Sequence, residues 1–313
     1  MVYRTARRRG TPRPLRRNAR YLKRAPPRRS VGFRRKLRRF RYSKPAMSRK
    51  RILNITSRKK QDTMRGMFTT PFGSETTPGV ISMTGDKSYE FLWIATARDN
   101  VIGGVEPGVF QQSQRTATAC YMRGLKERWH VQTGSPASWQ HRRILFTFTG
   151  DQIYRVNDSP TDGVGQLFKE LSNGYVRAFT SLYDTTDPRS QAIQQQTYDL
   201  VFKGTRGADW INTMNAKTDS TRIQILYDKT VTLRSGNDRG VITKRNFWHT
   251  FNRTLTYDDD ENGNATVNSP FSVHNSSSLG DVYVFDLFSA GLGSTSSDEL
   301  QINAEASLYW HER

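Results

Sequence analysis

The chain has a single cysteine, Cys120, in 313 residues. One thiol cannot close an intrachain disulfide or build a cysteine-based metal cluster, which fits a reducing compartment. Long apolar runs are equally absent. No stretch reaches the roughly eighteen residues of a membrane span, and no apolar segment follows the start as a secretory signal requires. A soluble, non-secreted protein without a membrane partner is expected. Histidine is sparse, with five at positions 130, 141, 249, 274 and 311, and none falls in an HExxH, HxH or HxxxH grouping. No GxxxxGKS or GxxxxGKT loop is present for nucleotide phosphates and no GxSxG turn for a serine nucleophile. Cys120 lies in an apparent strand without a partner histidine. The reading is a non-enzyme with no catalytic residue, no metal and no cofactor.

The absence with the largest consequence is that of acid near the amino terminus. Residues 1–60 hold twenty-five Lys and Arg and no Asp or Glu, whereas the other 253 hold twenty-four Lys and Arg against twenty-eight acids. The whole net charge of +21 therefore sits in this arm. Runs such as Arg7-Arg8-Arg9, Arg16-Arg17 and Arg34-Arg35-Lys36-Leu37-Arg38-Arg39 repel themselves and offer too few apolar side chains to offset ordering entropy. Prolines at 12, 14, 26, 27 and 45 remove amide donors and bias their predecessors away from helix. The arm is expected to be disordered when alone, with residues 31 to 42 able to form a short helix on a polyanion.

Like-charge blocks of this kind bind nucleic acid by neutralising phosphates and releasing counterions, without regard to sequence. Arginine predominates, which favours planar, bidentate phosphate contacts. Tyr3, Tyr21, Phe33, Phe40 and Tyr42 are interleaved with it, so stacking on the unpaired bases of a single strand is one role for these rings and anchoring the arm to protein is the other. A mitochondrial transit peptide would be amphipathic and serine-rich, and only two serines precede residue 48. Arg34, Arg35, Lys36, Arg38 and Arg39 do match nuclear-localisation composition, which implies an import receptor as a second partner.

Beyond the arm the pattern is that of strands. Leu300, Ile302, Ala304, Ala306, Leu308 and Trp310 alternate with Gln301, Asn303, Glu305, Ser307 and Tyr309, the signature of a half-buried strand. Further strands are expected at Tyr89 to Ala97, Ala117 to Gln132, Ile144 to Thr149, Tyr175 to Tyr183, Thr197 to Lys203, Arg222 to Tyr227, Lys229 to Arg234, Ile242 to Tyr257 and Val282 to Phe288. Turn signals such as Asn173-Gly174 and Glu261-Asn262-Gly263-Asn264 separate them. Helical spacing appears at Val164, Leu167, Phe168 and Leu171, and from Asp187-Pro188 through the Gln194 to Gln196 tract. Many strands with short helical inserts predict an all-β sandwich or jelly roll, with a basic arm at 1–52 and one domain at 53–313. The cluster Asp258-Asp259-Asp260-Glu261-Asn262-Gly263 imitates half of a calcium loop, but the twelfth position, which should be a glutamate, is Ser269.

The segment from Ser48 through Arg49-Lys50-Arg51 and Arg58-Lys59-Lys60 to Asp62-Thr63-Met64 resembles the capsid protein of genomoviruses, above all gemycircularviruses. So do the stretch Asn252 to Glu261 and the closing strand Ile302 to His311. Similarity to the geminivirus coat protein is weaker and mostly architectural. The resemblance implies a single eight-stranded viral jelly roll. About sixty identical copies would form an icosahedral shell around circular single-stranded DNA, in the virion and the host nucleus, with a host nuclear import receptor as partner. On that reading Arg7, Arg8, Arg9, Arg16, Arg17, Arg34, Arg35, Lys36, Arg38 and Arg39 contact phosphates. Arg49, Lys50, Arg51, Arg58, Lys59 and Lys60 line the inner wall where the arm joins. The alternative is a non-capsid nucleic-acid-binding or nuclear shuttle protein with the same arm and no shell.

Overall fold

The alternation at the carboxy terminus becomes a fourteen-residue strand, Glu299–Glu312, whose even-numbered side chains are buried from Leu300 to Glu312. Thirteen further strands accompany it in the computed structural model, which describes residues 47–69, 76–101, 108, 110–155, 167–172, 174–183 and 187–313. In chain order they are β1 (Arg58–Thr69), β2 (Thr76–Pro78), β3 (Ile81–Thr84), β4 (Ser88–Ile94), β5 (Ala119–Thr133), β6 (Trp139–Phe148), β7 (Lys169–Leu171), β8 (Gly174–Thr180), β9 (Gln224–Leu233), β10 (Ile242–Thr256), β11 (Asp260–Asn262), β12 (Ala265–Val267), β13 (Asp281–Ala290) and β14, the closing strand. Two helices, α1 (Arg49–Thr56) and α2 (Pro188–Val201), complete the described set. The compact unit runs from Ser48 to Arg313, and α1 straddles the expected boundary at residue 52.

One sheet runs β10-β5-β14-β1-β8-β7, and the other β4-β13-β6-β9. Numbered along the chain, the eight strands β1, β4, β5, β6, β9, β10, β13 and β14 place sixth, third, eighth and first in one sheet. Second, seventh, fourth and fifth make the other. That interleaving is the double Greek key of a jelly roll, and its pairings are antiparallel. The exception in the first sheet is the parallel pairing of β1 with β8, from Gly66 opposite Arg177 to Thr69 opposite Thr180.

The sheets differ in what covers them. β13 is buried from Asp281 to Phe288 on both faces, because Ile193, Tyr198 and Val201 of α2, with Phe202 and Trp210 beyond it, pack on Leu92, Ile94, Phe146, Tyr283 and Phe285. Burying a side chain of this size contributes about 1.5–3 kcal/mol. Between the sheets lie Trp93, Leu145, Val284, Leu308 and Trp310 at one end, and Phe91, Trp129, Phe179, Phe288 and Ile302 at the other. Among the described residues no layer of comparable size covers the outer face of the β10-β5-β14-β1 sheet, whose outward side chains are exposed or half-buried.

A neutral charge quartet bridges the two sheets. Glu127 Oε2 accepts from Arg143 at 2.5 Å, Asp286 Oδ1 accepts from Arg143 Nε at 2.7 Å, and Arg177 Nε donates to Glu127 Oε1 at 3.0 Å while its Nη2 donates to Asp286. All four side chains are at most 1% exposed. Arg143 lies 4.1 Å from the Phe247 ring and Arg177 4.1 Å from that of Phe179. His141 donates through Nε2 to Asp286 at 2.8 Å and accepts at Nδ1 from Arg245 at 3.0 Å. Burial holds its pKa below the ordinary imidazole value and outweighs Asp286, so it is neutral. Removing one member of such a quartet would leave an uncompensated buried charge, at a cost of about 3–5 kcal/mol.

Several expectations are corrected. The strand at Thr197 to Lys203 is instead the last turn of α2 through Val201. Asp187 Oδ2 caps the helix by accepting from Ser190 N at 2.8 Å, and the buried residues Ser190, Ile193, Thr197 and Val201 follow helical spacing. The expected helix at Val164 to Leu171 lies partly outside the described residues, and its end, Lys169–Leu171, is strand β7, paired antiparallel with β8. The strands at Arg222 to Tyr227 and Lys229 to Arg234 are one strand, β9, with a register shift opposite Leu145 and Phe146.

Candidate nucleic-acid interface

Helix α1 follows the arm directly in sequence. Ser48 starts it, its Oγ accepting from Arg51 N at 3.3 Å, and at the other end Ser57 N donates to Leu53 O at 3.1 Å. Ser57 Oγ then lies 3.5 Å from His311 Nδ1, which ties the helix end to the end of β14. Between α1 and the exposed sheet face opens a cleft of about 1400 Å³, lined by Ser48, Arg51, Leu53, Asn54, Ser57, Lys59, Ala117, Ala119, Tyr121, Arg123, Thr254, His311 and Arg313. Four of these carry positive charge and none is acidic.

Strand register explains why residues far apart in sequence meet here. Lys59 pairs with His311, His311 with Tyr121, and Tyr121 with Thr254, so β1, β14, β5 and β10 each contribute one outward side chain to a single row. The Tyr121 and His311 rings are 6.0 Å apart at 41°. Partial burial lowers the His311 pKa, and Arg123 and Lys59 lower it further, so at neutral pH it presents an uncharged ring. Arg123 sits where β10 bulges between Thr250 and Arg253, and its guanidinium donates to Asn252, whose φ of 53° lies in the left-handed region that Asn tolerates. Cations to meet phosphate, polar groups and ring faces are the parts of a single-strand binding surface.

The sequence-derived site residues divide. Arg51 and Lys59 line the cleft. Arg58 is exposed at the start of β1 and does not line it, and Arg49 and Lys50 belong to α1. Lys60 is a correction. It points between the sheets, 4% exposed, with Nζ 2.9 Å from Glu312 Oε2 and 2.8 Å from both Gln114 O and Thr116 Oγ1. Its charge is neutralised inside the protein. Arg7, Arg8, Arg9, Arg16, Arg17, Arg34, Arg35, Lys36, Arg38 and Arg39 lie outside the described residues. Sequence reasoning missed Tyr121, Arg123, His311 and Arg313. Strand alternation would have placed the first two on one face, but joining them to His311 needed the sheet order.

The acidic cluster has a structural occupation. Arg115 donates to Asp259 at 2.6 and 2.9 Å, and Thr118 Oγ1 and Ser269 N donate to it at 2.9 and 3.1 Å. Burial alone would raise the Asp259 pKa, but Arg115 holds it below the usual carboxylate value. Among the described residues no group of three or more His, Cys, Asp or Glu is placed to hold a metal ion. Cys120 is buried, donating to Ala117 O at 3.3 Å, and its pKa is pushed up mainly by burial. Among the described residues no helix is long and apolar enough to cross a membrane.

No protein-family model and no curated protein matches the chain. Among solved structures it is similar to the unassembled VP1 pentamer of KI polyomavirus, at 10% identity over 86% of this chain and 96% of that one, with a TM-score of 0.12. An unassembled VP1 pentamer of a Washington University polyomavirus mutant gives 9%, 85%, 96% and 0.10. VP1 of trichodysplasia spinulosa-associated polyomavirus in complex with 3'-sialyllactose gives 8%, 81%, 79% and 0.09. Likeness at this level decides neither fold nor function. The jelly roll rests on the strand order of the chain itself.

Proposed function

We propose that this chain is the coat protein of a small circular single-stranded DNA virus of the genomovirus kind. It assembles into an icosahedral shell and packages the genome through its basic arm, which also serves nuclear import. The observation that carries the reading is the acid-free cleft of the jelly roll, lined in part by Ser48 to Lys59, the last stretch of the acid-free amino-terminal sixty residues. The arm supplies charge in bulk, and the cleft receives the strand at the wall. Ser48–Arg313 holds thirty Lys and Arg against twenty-eight acids, so jelly rolls approach one another without large net repulsion. Import, packaging and assembly then use separate parts of one chain.

Deleting residues 2–42 tests the division of labour. For single strands, log affinity falls with log salt at about −0.7 per phosphate contact, so the full chain should show a steep dependence and the deletion a shallow one. An unchanged affinity and slope would refute the role given to the arm.

A further inference from the structure

Next to the cleft, the exposed sheet face carries a second pair of rings. Trp248 on β10 is 51% exposed, whereas the chain's other five tryptophans, at 93, 129, 139, 210 and 310, are each 9% exposed or less. Its ring stands 5.8 Å from that of Tyr309 on β14, at 62°. Tyr309 reaches it across Gly124 of β5, which pairs with both Tyr309 and Thr250. A Cβ at Gly124 would stand 3.1 Å from Trp248 Cζ2 and 2.4 Å from His249 O, so only glycine lets the indole lie down on the sheet there. The indole is thus laid on the backbone yet half open to solvent.

Charge on the face says what it can meet. Trp248 is in register with Lys126, Lys126 with Ser307, and Ser307 with Thr63. Neither this row nor the row of Thr250, Gly124, Tyr309 and Gln61 contains an acid, and the carboxylate in the next outward row, Glu305, faces Arg128 at 4.0 Å. The Tyr121–His311 pair lies two residues further along β14, a spacing of about 7 Å. We propose that Trp248 and Tyr309 form a stacking platform for an unpaired nucleobase of a single-stranded nucleic acid, continuous with the Tyr121–His311 pair. Successive bases rest on successive ring pairs while Lys126 and Arg123 meet their phosphates. The proposal rests on the nucleic-acid-binding reading above and gives the wall a means of discriminating unpaired from paired bases. A duplex hides its ring faces and gains nothing from the platform.

The test uses the full chain, an oligothymidylate, and a duplex of equal length at one salt concentration. Oligothymidylate should quench the solvent-accessible tryptophan fluorescence of the wild type. Trp248→Ala should abolish that quenching and weaken single-strand binding roughly tenfold, with duplex affinity, salt slope and thermal unfolding midpoint unchanged. Equal losses on both probes, or none on either, would overturn the platform. So would a variant altered only in self-association, which would make the face a contact between copies of the chain. If the wild type binds neither probe, the packaging reading falls with it, whereas tight wild-type binding with no effect of Trp248→Ala removes the platform alone.

Discussion

Adjacent lysines on β1 meet different surroundings because a strand turns successive side chains to opposite faces. Lys59 reaches the cleft and Lys60 reaches Glu312 in the interior. Substituting them should separate binding from stability. Lys60→Met leaves the Glu312 carboxylate without its cation and should destabilise the fold by about 3–5 kcal/mol, measured by denaturant unfolding. Lys59→Ala should leave stability unchanged and reduce the salt slope of single-strand binding by about 0.7. The reverse pattern would show the strand's facing to be misassigned.

At the scale of elements, a buried carboxylate, Asp281, helps to hold the segment between β12 and β13. Ser272 N donates to Asp281 Oδ1 at 3.1 Å and Ser272 Oγ to Oδ2 at 3.3 Å, while Val273 N and Leu279 N bond to β10 carbonyls. Asp281 is 1% exposed, and burial pushes its pKa up to about 7 against the pull of the Ser272 bonds. From about pH 4, the ordinary aspartate value, up to about 7, the folded state keeps a proton that the unfolded state releases. Stability from this group therefore falls as pH rises through that window and is level above it. Asp281→Asn keeps an acceptor for Ser272 and cannot ionise. Its melting-temperature advantage over the wild type should grow from pH 4 to pH 7 and then hold constant. An advantage independent of pH would contradict the assignment.

Elements were legible in the sequence where polarity and geometry agreed. The alternation from Leu300 to Trp310 reads directly as a strand with one wet face, and β10 and β13 as strands by their β-branched and aromatic content. β1 was hidden because its inward positions include Lys60 and Asp62, whose partners Glu312 and Arg98 come from elsewhere in the chain. Thr197 to Val201 has strand composition, yet the cap at Asp187 and a hydrophobic surface waiting on β13 made it helix. The site follows the same division. Arg51 and Lys59 were visible as charge. The bulge at Gly124 shifts the phase of β5, and the meeting of Tyr121 with His311 depends on strand order, which no local pattern encodes.

At the scale of the whole molecule, charge is segregated along the chain. In the proposed shell of about sixty copies, the nineteen cations of residues 1–47 in each copy would bring on the order of 1100 charges to the interior, comparable with the phosphates of a kilobase-scale genome. Assembly should therefore depend on single-stranded DNA and on salt, with the near-neutral jelly rolls closing around a neutralised genome. The most direct measurement is electron microscopy of the full chain mixed with circular single-stranded DNA, followed by nuclease treatment. Closed, uniform particles whose DNA survives the nuclease are the expected result. Monomers or dimers on accessible DNA, at every salt concentration, would contradict the account and leave a nucleic-acid-binding protein that builds no shell.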